Sequence, residues 1–366
     1  MNRYKKYISA SLILLLLAPL FSACTETPET VTQPEPDPVE TSIIIEQEPE
    51  PDFATIVYPY TNPLTGLGST IDLSVKRPIV VSINNHRDSL PQAGIQSASI
   101  IYEVLAEGGI TRLIGVFPDA LSIPKIGTVR STRPYIVDIA TGYDPIFVHF
   151  GGSVDGYSRI RENKIMSIDG IAYDGIYFFR DAERVKTAGL EHSAFINAEL
   201  LNRAISKLKS LDLARDASKV TPAFDFAKAT VIPAGQKADT VKIKFSSYND
   251  KSTFTYDAEN KVYSKMQYGS EHIDELTGEA LKVVNVFALE IPSTTIDSVG
   301  RRLMTTTGSG EGVYISQGFA CSITWSRKDV YSQFEYTLDG GTPLKVNPGN
   351  SYISVVNDID SVTFVD

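Results

Sequence analysis

Three patterns of apolar and polar positions follow one another along the chain. Ile8–Phe21 is an apolar run broken only by Ser9, Ser11 and Pro19, with Arg3, Lys5 and Lys6 before it and Ser22-Ala23-Cys24 after it. A basic head, a short apolar middle and small residues at the cut describe a secretory signal. The run is shorter than the roughly 20 apolar residues a membrane-spanning helix needs. From Pro78 to about residue 211, blocks with the signature of buried strands alternate with helical ones. Pro78–Ile83, Ile100–Ala106, Ile110–Phe117 and Pro145–Phe150 read as strands, with Gly108-Gly109 turning the second into the third. Pro134–Thr141 reads as a helix with proline in its first turn and Gly142 beyond its end, and Val154–Glu162 as another. Asn197–Lys209 is the clearest helix, with Leu200, Leu201, Ala204, Ile205 and Leu208 on one face.

From about Thr221 the period changes to two. Val241–Ser246, Thr253–Asp257, Val262–Met266, Val283–Ile291, Gly312–Ser316, Ser322–Ser326 and Tyr352–Val356 predict strands, and Tyr336–Val346 folds back through Asp339-Gly340-Gly341. The expected fold class is therefore α+β. A signal peptide (1–23) and a tether (24–61) precede a mixed α/β domain (62–215), and a mostly antiparallel β domain (216–366) follows.

Charge and cysteine content sharpen this picture. The net charge of −10 is concentrated in residues 25–62, which hold nine acids and no Lys or Arg. Without those acids and the three bases of the signal, 35 acids face 31 bases, far from the basic surplus of a nucleic-acid binder. The acidic segment is rich in proline, as in Gln33-Pro34-Glu35-Pro36-Asp37-Pro38, and its composition is that of an extended, disordered spacer. Small residues directly before Cys24 resemble a bacterial lipoprotein signal, in which that thiol is acylated. Two acyl chains give stable membrane anchoring where one does not. Cys321 is then the one thiol left, so no intramolecular disulfide is expected.

Most catalytic signatures are missing. His86, His149, His192 and His272 are scattered without ligand spacing, and no aspartate ladder forms a calcium loop, so neither a metal nor another cofactor is expected. The Asp-Gly pairs at Asp155, Asp169 and Asp174 predict turns. Gly308-Ser309-Gly310-Glu311-Gly312 lacks the Gly-Lys-Ser/Thr ending of a phosphate loop and predicts a flexible β-turn. Ser122-x-x-Lys125 and Ser206-x-x-Lys209 are ill placed for the serine nucleophile of penicillin-binding enzymes.

The constellation that stands out is arginine-centred. Arg112, Arg130, Arg133 and Arg180 lie on or beside apolar segments, as do Glu103, Glu107, Asp138 and His149. Charges on such segments must be paired or must face a cleft. One reading is a pocket where guanidinium forks hold a carboxylate or phosphate; the other is an internal network that braces the fold. Glu103, Glu107, His149 and His192 are the acid/base candidates of an alternative, enzymatic reading: a hydrolase or transferase acting on a cell-wall polymer.

The sequence also resembles a known family. Asn62-Pro63-Leu64-Thr65-Gly66, Arg77-Pro78-Ile79 with Asn84-Asn85, and Ile101-Tyr102-Glu103 followed by Glu107-Gly108-Gly109-Ile110-Thr111-Arg112 are similar to segments of the YerB-like lipoproteins. So are Ile126-Gly127-Thr128-Val129-Arg130-Ser131-Thr132-Arg133, His149-Phe150-Gly151-Gly152-Ser153, Phe179-Arg180-Asp181, His272-Ile273-Asp274, Ile323-Thr324-Trp325 and Pro348-Gly349-Asn350. Thr128 and Glu191-His192-Ser193 depart from that pattern. The family comprises Gram-positive envelope proteins built on a domain of unknown function. The resemblance thus implies an extracytoplasmic, membrane-anchored location and this architecture, and carries no chemistry with it. The expected role is a binding or regulatory module of the cell envelope. Its ligand would be an anionic wall component or a protein partner, met through Arg112, Arg130, Arg133 and Arg180 together with Asn84 and Asn85.

Overall fold

The computed structural model describes residues 57–365 apart from residue 251. The signal, Cys24 and the tether up to residue 56 lie outside the described residues. The described residues cluster as one compact unit. Near the start of the described residues, Tyr60–Thr61 pairs with Gly68–Ser69.

Four strands of the first half are β1 (Ile79–Asn84), β2 (Ile100–Leu105), β3 (Thr111–Phe117) and β4 (Ile146–His149), all buried along their whole length. Helix α1 (Pro134–Thr141) precedes β4, and α2 (Val154–Glu162) leads from β4 into β5 (Met166–Asp169). Helix α3 (Ala198–Lys207) starts where the Asn197 side chain accepts a hydrogen bond from the Leu200 N–H. In the second half, β6 (Thr240–Ile243), β7 (Ser252–Asp257) and β8 (Val262–Gln267) form a meander. They are followed by β9 (Asn285–Glu290), β10 (Gly308–Ser316), β11 (Phe319–Arg327), β12 (Ser351–Val356) and β13 (Val362–Val365).

The fold is α+β, with most strand pairs antiparallel. Both halves contribute to one 11-stranded sheet that runs β11-β10-β9-β12-β2-β3-β1-β4-β5, with short strands added at the β11 end. Strand β12 lies parallel to β9 on one side and to β2 on the other, so it joins the second half to the first. Alternate residues of its strands feed two separate cores. Ile79, Val81, Ile83 and Ile101 pack on one face, and Val80, Tyr102, Val104 and Phe147 on the other. Burial on both faces explains why these strands read as unbroken apolar runs. The second sheet, β8-β7-β6-β13 with short additions, lies on the first of these cores through Val241, Phe254 and Tyr263.

Two expectations are corrected. Gly308–Gly312 is strand rather than turn, because neighbours crowd its glycines: a Cβ at Gly310 would meet the Trp325 indole at 2.7 Å, and one at Gly312 the Ala288 carbonyl at 2.8 Å. Of the three Asp-Gly pairs, Asp155-Gly156 lies inside α2, and Asp169 caps a short helix at Gly170–Tyr173. Only Asp174-Gly175 lies in a turn, where Gly175 has φ 72°.

Candidate functional site

Several of the residues singled out above gather where β1 and β4 end and the β2–β3 loop begins. Asn84 closes β1 and sits opposite Arg112 at the start of β3. Residues 128–132 continue the sheet locally: Asn84 N–H donates to Thr128 O, Arg130 N–H to Ser82 O, and Phe150 N–H to Arg130 O. That ladder fixes Arg130, Ser131 and Arg133 just before α1. Beyond β4, Ser153 caps α2 by accepting the Gly156 N–H at 3.0 Å.

Ser131 is the meeting point of two guanidiniums. Arg112 donates to the Ser131 carbonyl, and to its hydroxyl at 3.1 Å. Arg133 reaches the same hydroxyl at 3.3 Å and pairs through Nε with Glu107. Arg112 is 5% exposed, and its Nε is buried without a partner. Burial, with Arg133 and Arg130 close by, pulls the Arg112 guanidinium down to about 9, which leaves it cationic at neutral pH. Arg130 pairs with Glu191. Three guanidiniums therefore face two carboxylates, a surplus of one positive charge. Arg180 stands beside this group, stacked 4.2 Å over the Phe150 ring, and donates to Asp174 at 3.1 Å and to the Leu190 carbonyl at 2.7 Å.

The other candidates divide between this site and the interior. Glu103 is fully buried and accepts hydrogen bonds from Asn85, Thr111, Asn249 and Tyr352, with the Lys265 ammonium 3.6 Å away. It has no surface from which to touch a polymer, and Asn85 belongs to this interior network. Burial raises the Glu107 carboxyl, but Arg133 outweighs it and holds the group below the usual carboxylate range. That favours a fixed counter-ion over a proton donor. His149 is buried; its Nδ1–H donates to the Gly151 carbonyl at 2.9 Å while Nε2 has no partner, and burial lowers its pKa.

His192 does reach the site, and it brings a residue the sequence did not single out. The Asn84 amide oxygen accepts the His86 N–H at 3.2 Å, which turns its NH2 toward His192 Nδ1 at 2.8 Å. His86 Nδ1 in turn accepts the Asp88 N–H at 3.2 Å. The two imidazoles stack with centroids 4.9 Å apart, and Tyr248 stacks on His86 at 5.8 Å. Potential ligand atoms of His86, Asp88 and His192 lie within 4.8 Å of one another. Their chemistry does not suit a cation: both Nδ1 lone pairs are taken by N–H donors, so each neutral ring carries its proton on Nε2. The rings present N–H donors, which suit an anion, although the exposed Asp88 carboxylate lies 3.5 Å from His86 Nδ1 and opposes one. No sequence pattern could pair two histidines 106 positions apart; the Asn84 side chain does it.

A cavity of about 870 Å3 lies elsewhere, lined by Tyr143, Phe224, Phe226, Phe334 and Tyr336 among others, and shares no residue with the arginine cluster.

Residues 64–211 match the N-terminal domain, and residues 241–353 the C-terminal domain, of the protein of unknown function DUF3048. Over 303 residues the chain is 28% identical to "Putative lipoprotein YerB" of Bacillus subtilis strain 168, covering 82% of this chain and 87% of that protein. The crystal structure of Bacillus subtilis YerB superposes with a TM-score of 0.73 at 27% identity, over 84% of this chain and all of that one. The chain belongs to the YerB-like family. In this YerB-like chain the arginine cluster lies wholly within the N-terminal match. The buried Glu103–Lys265 pair has one partner in each match.

Proposed function

We propose that the chain is a membrane-tethered extracytoplasmic module of the cell envelope that recognises an anionic wall component through Arg112, Arg130 and Arg133. The observation that carries this reading is the surplus positive charge gathered around Ser131, edged by the N–H groups of His86 and His192. A guanidinium fork matches carboxylate and phosphate oxygens bidentately. The anchor rests on the signal pattern ending at Cys24 and on the lipoprotein description of the Bacillus relative.

Two measurements test the reading. Thermal unfolding of the chain from Thr25 onward would be followed with muropeptides, teichoic-acid fragments and polyphosphate. A ligand at 100 times its Kd adds about 2.7 kcal/mol, an upward shift of roughly 4 °C for a globule of about 310 residues. Arg130→Ala is expected to lose the shift, and a flat response from the intact chain to every anion overturns the reading. For the anchor, Cys24→Ser is expected to move the protein from the membrane fraction to the soluble one; retention in the membrane fraction refutes lipidation at that residue.

A further inference from the structure

The two ion pairs of the cluster differ in how firmly they are closed. Glu107 and Arg133 are 20% and 15% exposed and hold each other in place, whereas the Glu191 side chain on Arg130 is 69% exposed. Glu191 is the middle residue of the one-turn helix Leu190–His192, which follows Gly189 at φ 92° with open space around its Cα. The backbone of that turn is pinned from below. Arg180 donates to the Leu190 carbonyl at 2.7 Å, Arg130 to the Glu191 carbonyl at 3.3 Å, and Ser193 Oγ to the Leu190 carbonyl at 2.8 Å. The Glu191 carboxylate can therefore leave Arg130 by rotation of its own side chain, with the turn staying where it is.

What it would leave behind is a set of donors with no acceptor. Arg130 would regain a free Nη2, with Nη1 still on the Glu191 carbonyl, and its Nε is already buried without a partner. His192 follows Glu191 directly, stacked on His86, and neither Nε2–H has a protein acceptor among the described residues. These donors come from three elements: the end of β1, residues 128–132, and the Leu190–His192 turn. Donors drawn from three elements can meet the several directions in which the oxygens of a tetrahedral oxyanion point. Burial, His86 and Arg130 lower the His192 pKa, so an incoming anion finds a neutral ring with its N–H to give.

We infer that the Glu191 carboxylate is a displaceable internal counter-ion that occupies Arg130 until a phosphate-type oxyanion takes its place. The inference rests on the anion-recognition reading above and names the ligand chemistry of that site. Phosphate monoesters and the phosphodiesters of a wall polymer share this chemistry.

The test is calorimetric titration of the full chain in detergent micelles at pH 7.5 and low salt, with inorganic phosphate and dimethyl phosphate as probes. Wild type, Glu191→Gln and Arg130→Ala are compared, each checked for unchanged unfolding. Glu191→Gln is expected to bind about two- to fivefold tighter than wild type, because the competing carboxylate is gone, and Arg130→Ala to bind neither probe. Binding of the diester as well as phosphate assigns the site to a polymer; binding of phosphate alone assigns it to a monoester. Equal or weaker binding by Glu191→Gln, with wild type still dependent on Arg130, overturns the counter-ion role and leaves anion recognition standing. Absence of binding by wild type and Glu191→Gln alike overturns both.

Discussion

Glu103→Leu is expected to destabilise the globule by about 3–5 kcal/mol, the range for removing one partner of a buried ion pair. The substitution strands Lys265, which has no exposed surface and lies 5.0 Å from the centroids of both Phe254 and Tyr352. It also removes the acceptor shared by Asn85, Thr111 and Asn249 and the one used by Tyr352. Burial already lowers the Lys265 pKa, with Glu103 opposing the shift, so the ammonium loses its support when the carboxylate goes. Lys265→Met should cost less, because Glu103 keeps its four neutral donors. The double variant is expected to be more stable than the sum of the two single losses implies, since it strands no charge. Urea denaturation of the four proteins measures the coupling. A Glu103→Leu loss below about 1 kcal/mol would show that the pair is not held as the geometry indicates.

Acid is expected to destabilise the protein from about pH 6.5 downward, through two buried histidines. His272 donates Nε2–H to the Gln92 side chain at 2.6 Å, and burial holds its pKa well below the ordinary value; burial lowers that of His149 too. The sign follows from linkage. Below the unfolded pKa the unfolded chain takes up protons that the folded chain refuses, so stability is complete above about pH 6.5 and falls as the pH drops toward the folded values. Each histidine contributes up to about 1.4 kcal/mol per pH unit, so the pair contributes up to about 2.7. His272→Gln and His149→Asn each keep a donor at the bonded nitrogen's position and remove the titration. Denaturation midpoints between pH 7.5 and 5.5 should therefore flatten in either variant. An unchanged slope in both would rule these histidines out as its cause.

The sheet was legible because its chemistry is redundant. Unbroken apolar runs announced β1 to β4, proline and glycine bounded α1, and the apolar face from Leu200 to Leu208 announced α3. The internal pairings were not legible, for identifiable reasons. In β8 the period of two was plain, but hydropathy favours Val262 and Met266 for the inner face. The buried face is instead Tyr263, Lys265 and Gln267, because the polar ends of Lys265 and Gln267 meet Ser252, Asn249 and Glu103, contributed by distant parts of the chain. Strand β13 went unread because Val362-Thr363-Phe364-Val365 gains its pairing only from β6, about 120 residues earlier. The arginine cluster was legible as a group, since guanidiniums on apolar segments need partners. Which acid served which arginine depended on where the β2–β3 loop and the Leu190–His192 turn fall, and that Glu103 faced inward depended on the register of β2 against β12.

That register has a consequence for how the molecule comes into being. Tyr352 meets Glu103 across a separation of 249 residues, and β12 fills the gap between β2 and β9. Ribosomes add about 5–20 residues per second, so β2 waits roughly 12 to 50 s after its own synthesis for the neighbour that completes its ladder. Throughout that interval one margin of a six-residue, fully buried strand stands open, the state from which intermolecular strand addition starts. A nascent chain of this kind depends on being kept unfolded or shielded until almost its last residues have emerged. Variants that hasten pairing of the first half alone would be expected to lower the yield of native protein.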